Sequence, residues 1–204
     1  DAVMQAFDLH SPDQVFNRAQ AKIRLELARG DAAAALACWT AYAEKIPPDL
    51  TAAWVLMLRA EIAWAAGDAE LAHTKSGEAL QRMEQPPPTF AAPRLEMRAR
   101  QIIGRARLAQ GRVGEATAAL EAAFALAAGI QDAALGLERA GVGVDLGLAL
   151  AALGERERAR QLLEAARAVH ACYPQVGTTF TAPLQALEQA LLRAEGTAHA
   201  RESR

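Results

Sequence analysis

The side chains best placed to do chemistry are three arginines, Arg94, Arg98 and Arg105. Steps of four and seven residues return to nearly the same azimuth on an α-helix, so all three share a face. With Gln101 beside them they can clamp a carboxylate or phosphate, because a guanidinium fork engages two acceptor oxygens at once. Pairing with Glu138 and Asp145 on another helix, or a solvated arginine face, satisfies the same pattern. A second stripe, Trp54, Met57, Glu61 and Trp64, falls at helical spacing. Its two tryptophans can stack on a ligand's apolar groups, as interface anchors do, or pack between helices.

Catalytic chemistry has no comparable footing. The histidines, His10, His73, His170 and His199, are scattered, and His170-Ala171-Cys172 is too short a cluster for a metal site. No serine or cysteine sits as a nucleophile in a recognisable turn or beside a histidine. The run from Gly141 to Gly147, GVGVDLG, has the wrong glycine spacing for a phosphate loop and no Lys-Ser/Thr after it. A non-catalytic protein without metal or cofactor is expected.

Composition narrows the class further. Hydrophobic residues make up 52% of the 204, aromatics only 5%. Alanine, the strongest helix former, is about a quarter of the chain, and the β-branched and aromatic runs of a sheet are missing. A formal charge of −2 argues against nucleic acid as partner. No stretch of 18 apolar residues suggests membrane insertion. Cys38 and Cys172 fit neither a zinc module nor a redox pair and are expected as two unpaired, mostly buried thiols. The chain opens on Asp1 rather than methionine, as a piece of a longer protein would. A cytoplasmic location is expected, or a periplasmic one if an upstream part carries a transmembrane helix.

The arginine and tryptophan stripes must be held by helices, and glycines and prolines punctuate these regularly. After a lead of residues 1–11, a helix runs from Pro12 to about Arg29, then Gly30 turns the chain into a second helix that stops at Pro47-Pro48. Asp49 opens the next pair, turned at Gly67 and closed by Pro86-Pro87-Pro88, which reads either as a joint between two halves or as a longer loop. A third pair turns at Gly111 and a fourth at Gly154. The expected units are about 12–48, 49–88, 89–129 and 130–174. A last amphipathic helix, about Ala182 to Ala194 within a capping segment 175–195, presents Leu184, Leu187 and Leu191, and residues 196–204 form a polar tail.

The turn glycines stand 37, 44 and 43 residues apart. Five residues beyond each is an alanine: Ala35, Ala72, Ala116 and Ala159. Seven before the last two stand Gly104 and Gly147, where a facing helix should leave no room for a side chain. Ile103-Gly104 with Ala116 and Leu120, and Leu146-Gly147 with Ala159 and Leu163, resemble the L-G and A-x3-F pattern of the tetratricopeptide repeat family. Trp39 and Pro47 supply an aromatic and a closing proline in the first unit, whereas Lys22-Ile23, Arg59-Ala60 and Ser76 depart from the pattern. The resemblance spans residues 12 to 172.

It implies an all-α fold, an α-solenoid of about four antiparallel helical hairpins in a right-handed superhelix with a C-terminal cap. Degenerate arrays of this kind occur as appendages of bacterial signalling kinases and transcriptional regulators. In the family the first helix of each hairpin lines a concave groove for a peptide or partner helix. By register these positions are Asn17, Gln20 and Arg24, then Trp54, Met57, Glu61 and Trp64, then Arg98, Gln101 and Arg105, then Glu138 and Asp145. The expected function is a protein-binding scaffold or sensor domain. A helical small-ligand sensor or structural oligomerisation module is the alternative, and a homodimer is compatible with either.

Overall fold

A computed structural model of the chain describes residues 12–43, 48–85, 92–130, 135–173, 175 and 177–202. The described residues form nine helices and no strand. In order they are α1 (Pro12–Ala28), α2 (Ala32–Ala43), α3 (Pro48–Ala65), α4 (Ala69–Met83), α5 (Ala92–Ala109), α6 (Val113–Gly129), α7 (Gly136–Leu153), α8 (Arg156–Ala171) and α9 (Thr178–Glu202). The lead segment, Pro47, the triple proline and Pro174 lie outside the described residues. No helix among the described residues is long and apolar enough to cross a membrane.

All four internal turns are built alike. Gly30, Gly67, Gly111 and Gly154 have φ between +73° and +86°, the left-handed region that a side chain disfavours. The amide after each glycine donates to the carbonyl five residues back, as in Glu155 to Leu150 at 2.9 Å, and the glycine amide donates three residues back. This double closure satisfies the last carbonyls of one helix within two residues of the next. The residue after the glycine is also the N-cap of the following helix. Asp31 and Asp68 use their carboxylates there, accepting from Ala34 N at 2.8 Å and Leu71 N at 2.9 Å. Arg112 and Glu155, at the same place in the later turns, make no side-chain cap.

A cap of this kind is worth about 1 kcal/mol. Asp68→Ala should therefore destabilise by that order, and Arg112→Asp should stabilise by a similar or smaller amount, both read as shifts in urea midpoint at unchanged slope. The Arg112 to Glu115 pair lost in the second variant is exposed on both sides and contributes little.

Each helix packs on its successor, and the odd-numbered helices also meet in series, α1 on α3, α3 on α5, α5 on α7 and α7 on α9. Burial follows the register read from the turn glycines. Ala35, Ala72, Ala116 and Ala159 are all completely buried, each a small side chain where helices approach closely. Gly104 answers to the same constraint: a Cβ there would lie 2.4 Å from Leu120 Cγ on α6. At Gly147 the obstruction is Leu187 Cδ2 of α9, at 2.6 Å, rather than a residue of α8. Of the other α7 glycines, Gly136, Gly141 and Gly143 leave a Cβ no closer than 3.4 Å to any neighbour.

Two features differ from the sequence reading. α9 begins at Thr178 and continues to Glu202, with Pro183 inside it. Gly177 carbonyl accepts from Phe180 and Thr181 at 3.0 and 3.3 Å, so a first turn forms ahead of the proline, and Pro183 forfeits one bond rather than starting the helix. Once begun, the helix propagates into the alanine- and arginine-containing stretch expected as a loose tail. The cysteines are free, but Cys38 is half-buried and Cys172 exposed, because the latter falls at the α8 C-terminus beyond the packed face.

Candidate binding face

The odd-numbered helices carry a chain of paired charges from α1 to α7. On α3, Glu61 receives arginines from both neighbours: Arg24 Nε of α1 at 3.6 Å and Arg98 Nη2 of α5 at 2.8 Å. The first contact is too long for a hydrogen bond, and Arg24 Nε and Glu61 Oε1 are both buried without a hydrogen-bond partner. Arg24 also lies over the ring of Trp54, its Cζ 5.9 Å from the centroid, a cation–π contact. Between α5 and α7, Arg94 grips Glu138 through both fork positions, Nη2 to Oε1 at 2.5 Å and Nε to Oε2 at 3.2 Å. Two to three turns along, Gln101 Nε2 and Arg105 Nε both donate to Asp145 Oδ2, at 2.6 and 2.7 Å.

These groups sit at the boundary between core and solvent. The arginine side chains are 21 to 38% exposed, Glu61 is 11% exposed and Asp145 only 5%. Burial pushes the Asp145 carboxyl above its ordinary value, with Arg105 and Gln101 opposing that shift. Burial pushes the Arg24 guanidinium down, Glu61 opposes this, and repulsion from Arg98 and Arg94 adds to it.

Of the residues assigned by register, Arg24, Glu61, Arg98, Gln101, Arg105, Glu138 and Asp145 come together in this network, with Trp54 against it. Asn17 and Gln20 lie two turns and one turn before Arg24 on α1 and take no part in it. Met57 is not on this face: it is completely buried in the cluster formed with Ala72, Ala79 and Leu95. A step of three residues from Trp54 rotates it about 60° out of line, far enough to turn a side chain from the face into the core. Trp64 shares that rotation, and both tryptophans, half-buried, pack against the same cluster. Arg94, Arg98 and Arg105 are each matched to a carboxylate of a neighbouring helix, so the alternative of an unoccupied anion clamp is not what the chain forms.

The spacing of the arginines was visible in the sequence, but their partners were separable only by which helices stand side by side. The Arg24 to Trp54 contact and the double use of Glu61 had no local signal. No family model, no curated protein and no solved structure matches the chain.

Proposed function

We propose that the chain is a non-catalytic interaction module: a tetratricopeptide-like α-solenoid of hairpins whose odd-numbered helices offer a recognition face to a peptide or partner helix, within a larger regulatory or signalling protein. The serial contacts of the odd-numbered helices and the repeated turn geometry support the solenoid reading, since a stack curved toward one layer packs that layer more closely.

The observation that carries the functional reading is the half-buried network of arginines and carboxylates crossing four helices of an otherwise alanine-packed stack. Such pairs contribute little to stability, because desolvation offsets their attraction, and apolar residues of similar volume often serve the fold as well or better. Their use here is accounted for by recognition, where fixed charges set register and exclude wrong partners. Four arginines, Arg24, Arg94, Arg98 and Arg105, face three carboxylates, Glu61, Glu138 and Asp145, which leaves one positive charge in excess. With that excess charge and the Arg24 guanidinium, 32% exposed, lying over Trp54, the complementary group is an acidic or amide side chain next to an apolar one.

Removing Arg94 and Glu138 together, as the double alanine variant, takes away the most exposed pair without stranding a charge. Partners captured by the wild-type chain from a lysate of its source and identified by mass spectrometry should be retained at least tenfold less well, about 1.4 kcal/mol, by a variant that keeps its helical spectrum. Equal retention of every specific partner would remove the binding role from this face.

A further inference from the structure

The two ends of the helix stack are finished differently. At the C-terminal end α9 covers α7 and α8, burying Leu187 and Leu191 in one cluster with Leu150, Ala159 and Leu163. At the other end, α1 exposes positions that are interior everywhere else. Leu25 stands five residues before its turn glycine. The residues in that register in the next three units, Ile62, Ala106 and Ala149, are 2%, 0% and 0% exposed, whereas Leu25 is 49% exposed. Ala21, exposed, corresponds likewise to Leu58, Ile102 and Asp145, all buried. Those later positions are closed by the preceding hairpin: Leu58 and Ile62 share a cluster with Ile23 of α1 and Ala35 of α2. Among the described residues the α1–α2 face thus has the form of an inter-hairpin contact without its second half.

A cleft of about 660 Å³ runs along it, lined by Arg18, Ala21, Lys22, Leu25, Arg29 and Tyr42 among others. Its charge is one-sided. Glu26 is the single acid of the lining and is engaged by Arg29 at 3.1 Å. No carboxylate among the described residues pairs with Arg18 or Lys22, and α2 carries no charged residue at all. At 100° per residue Arg18, Lys22, Leu25 and Arg29 lie about a quarter turn or more from the Asn17, Gln20 and Arg24 stripe, with Ala21 at the border between the two, so the strip is a surface separate from the face formed by the odd-numbered helices.

The geometry points to the α1–α2 end face as a docking site for an acidic amphipathic helix of a partner protein, which would take the place of a preceding hairpin. Its apolar side would cover Leu25 and Ala21, and its acidic flank would meet Arg18 and Lys22.

The test uses a labelled synthetic helical peptide with leucines at i, i+4 and i+7 and a glutamate flank, titrated with the full chain by fluorescence anisotropy. Saturable binding is expected, weakening as salt is raised. Arg18→Glu with Lys22→Glu should weaken it at least tenfold, and a peptide with lysines in place of the glutamates should recover binding to that variant. Leu25→Asp should abolish binding to both peptides. These residues are exposed or half-buried, and thermal melts of each variant check that the fold persists. Several results overturn the proposal: no saturable binding, binding indifferent to the charge reversal, or binding seen only after deletion of residues 1–11, which would make the chain's own first segment the occupant. Concentration-dependent self-association in sedimentation that Leu25→Asp removes would assign the face to a second copy instead.

Discussion

Arg105→Ala is expected to lower the unfolding free energy by about 3 kcal/mol at pH 7, the scale on which breaking one side of a buried ion pair acts. The cost arises on the partner, not on Arg105 itself. Asp145 is 4% exposed, and without the guanidinium at 2.7 Å its carboxylate keeps only Gln101. The sign of the pH dependence follows from burial. The Asp145 carboxyl already lies above its ordinary 3.8 in the folded chain, and removing Arg105 takes away a group that holds it down. The folded state then binds this proton more tightly than the unfolded state, so stability from this group is greatest below about 3.8 and is lost as pH rises through the folded value. Denaturant unfolding at pH 7 and at pH 4.5 should show the deficit of Arg105→Ala shrinking on acidification. Replacing Asp145 by leucine as well should recover much of the loss at pH 7, because no buried charge remains. A deficit that grows in acid would contradict the arrangement.

Gly104→Ala should destabilise by about 2 kcal/mol through overpacking, although alanine is intrinsically the better helix former by about 1 kcal/mol. Its Cβ would stand 2.4 Å from Leu120 Cγ and 2.9 Å from Cδ2, and Leu120 is completely buried, so it cannot swing aside. Leu120→Ala alone should cost about 3 kcal/mol as a cavity. The double variant should fall short of the sum by about 1–2 kcal/mol, the coupling of residues in direct contact, measured by a denaturant double-mutant cycle. Gly147→Ala should be milder, since its closest approach, 2.6 Å, is to a terminal methyl of Leu187 rather than to a branch carbon, although Leu187 is completely buried too. Strict additivity of the first pair would show that α5 and α6 do not meet as described.

Much of the architecture was legible before any coordinates because its signals are local. A glycine with positive φ, an amide reaching five residues back and an alanine five residues ahead are all decided within one turn of chain, and Gly30, Gly67, Gly111 and Gly154 behave identically. Gly104 was also readable as a close approach, since a glycine inside a strong helix pattern needs a packing reason. Azimuth is less legible. Residues 54, 57, 61 and 64 fall on two strips about 60° apart, which places Met57 in the core and keeps Glu61 at the surface boundary. Pro183 misled for another reason: a proline marks where an amide is missing, and here the turn in front of it is closed by Gly177.

The sequence by itself determined the first eight helices, the four glycine turns, the positions where small side chains must lie and the absence of a membrane-length apolar run. These depend on propensities and hydrogen bonds that span no more than six residues. The tertiary structure alone decided which charges meet. Arg94 finds Glu138 and Arg105 finds Asp145 across 44 and 40 residues, and Glu61 is shared by arginines 37 residues away on either side. Each separation is close to the spacing of the turn glycines, so the partners depend on which face each helix turns toward its neighbour. An ion pair is settled by distance in space and by desolvation at that place, and neither quantity exists until the helices are packed.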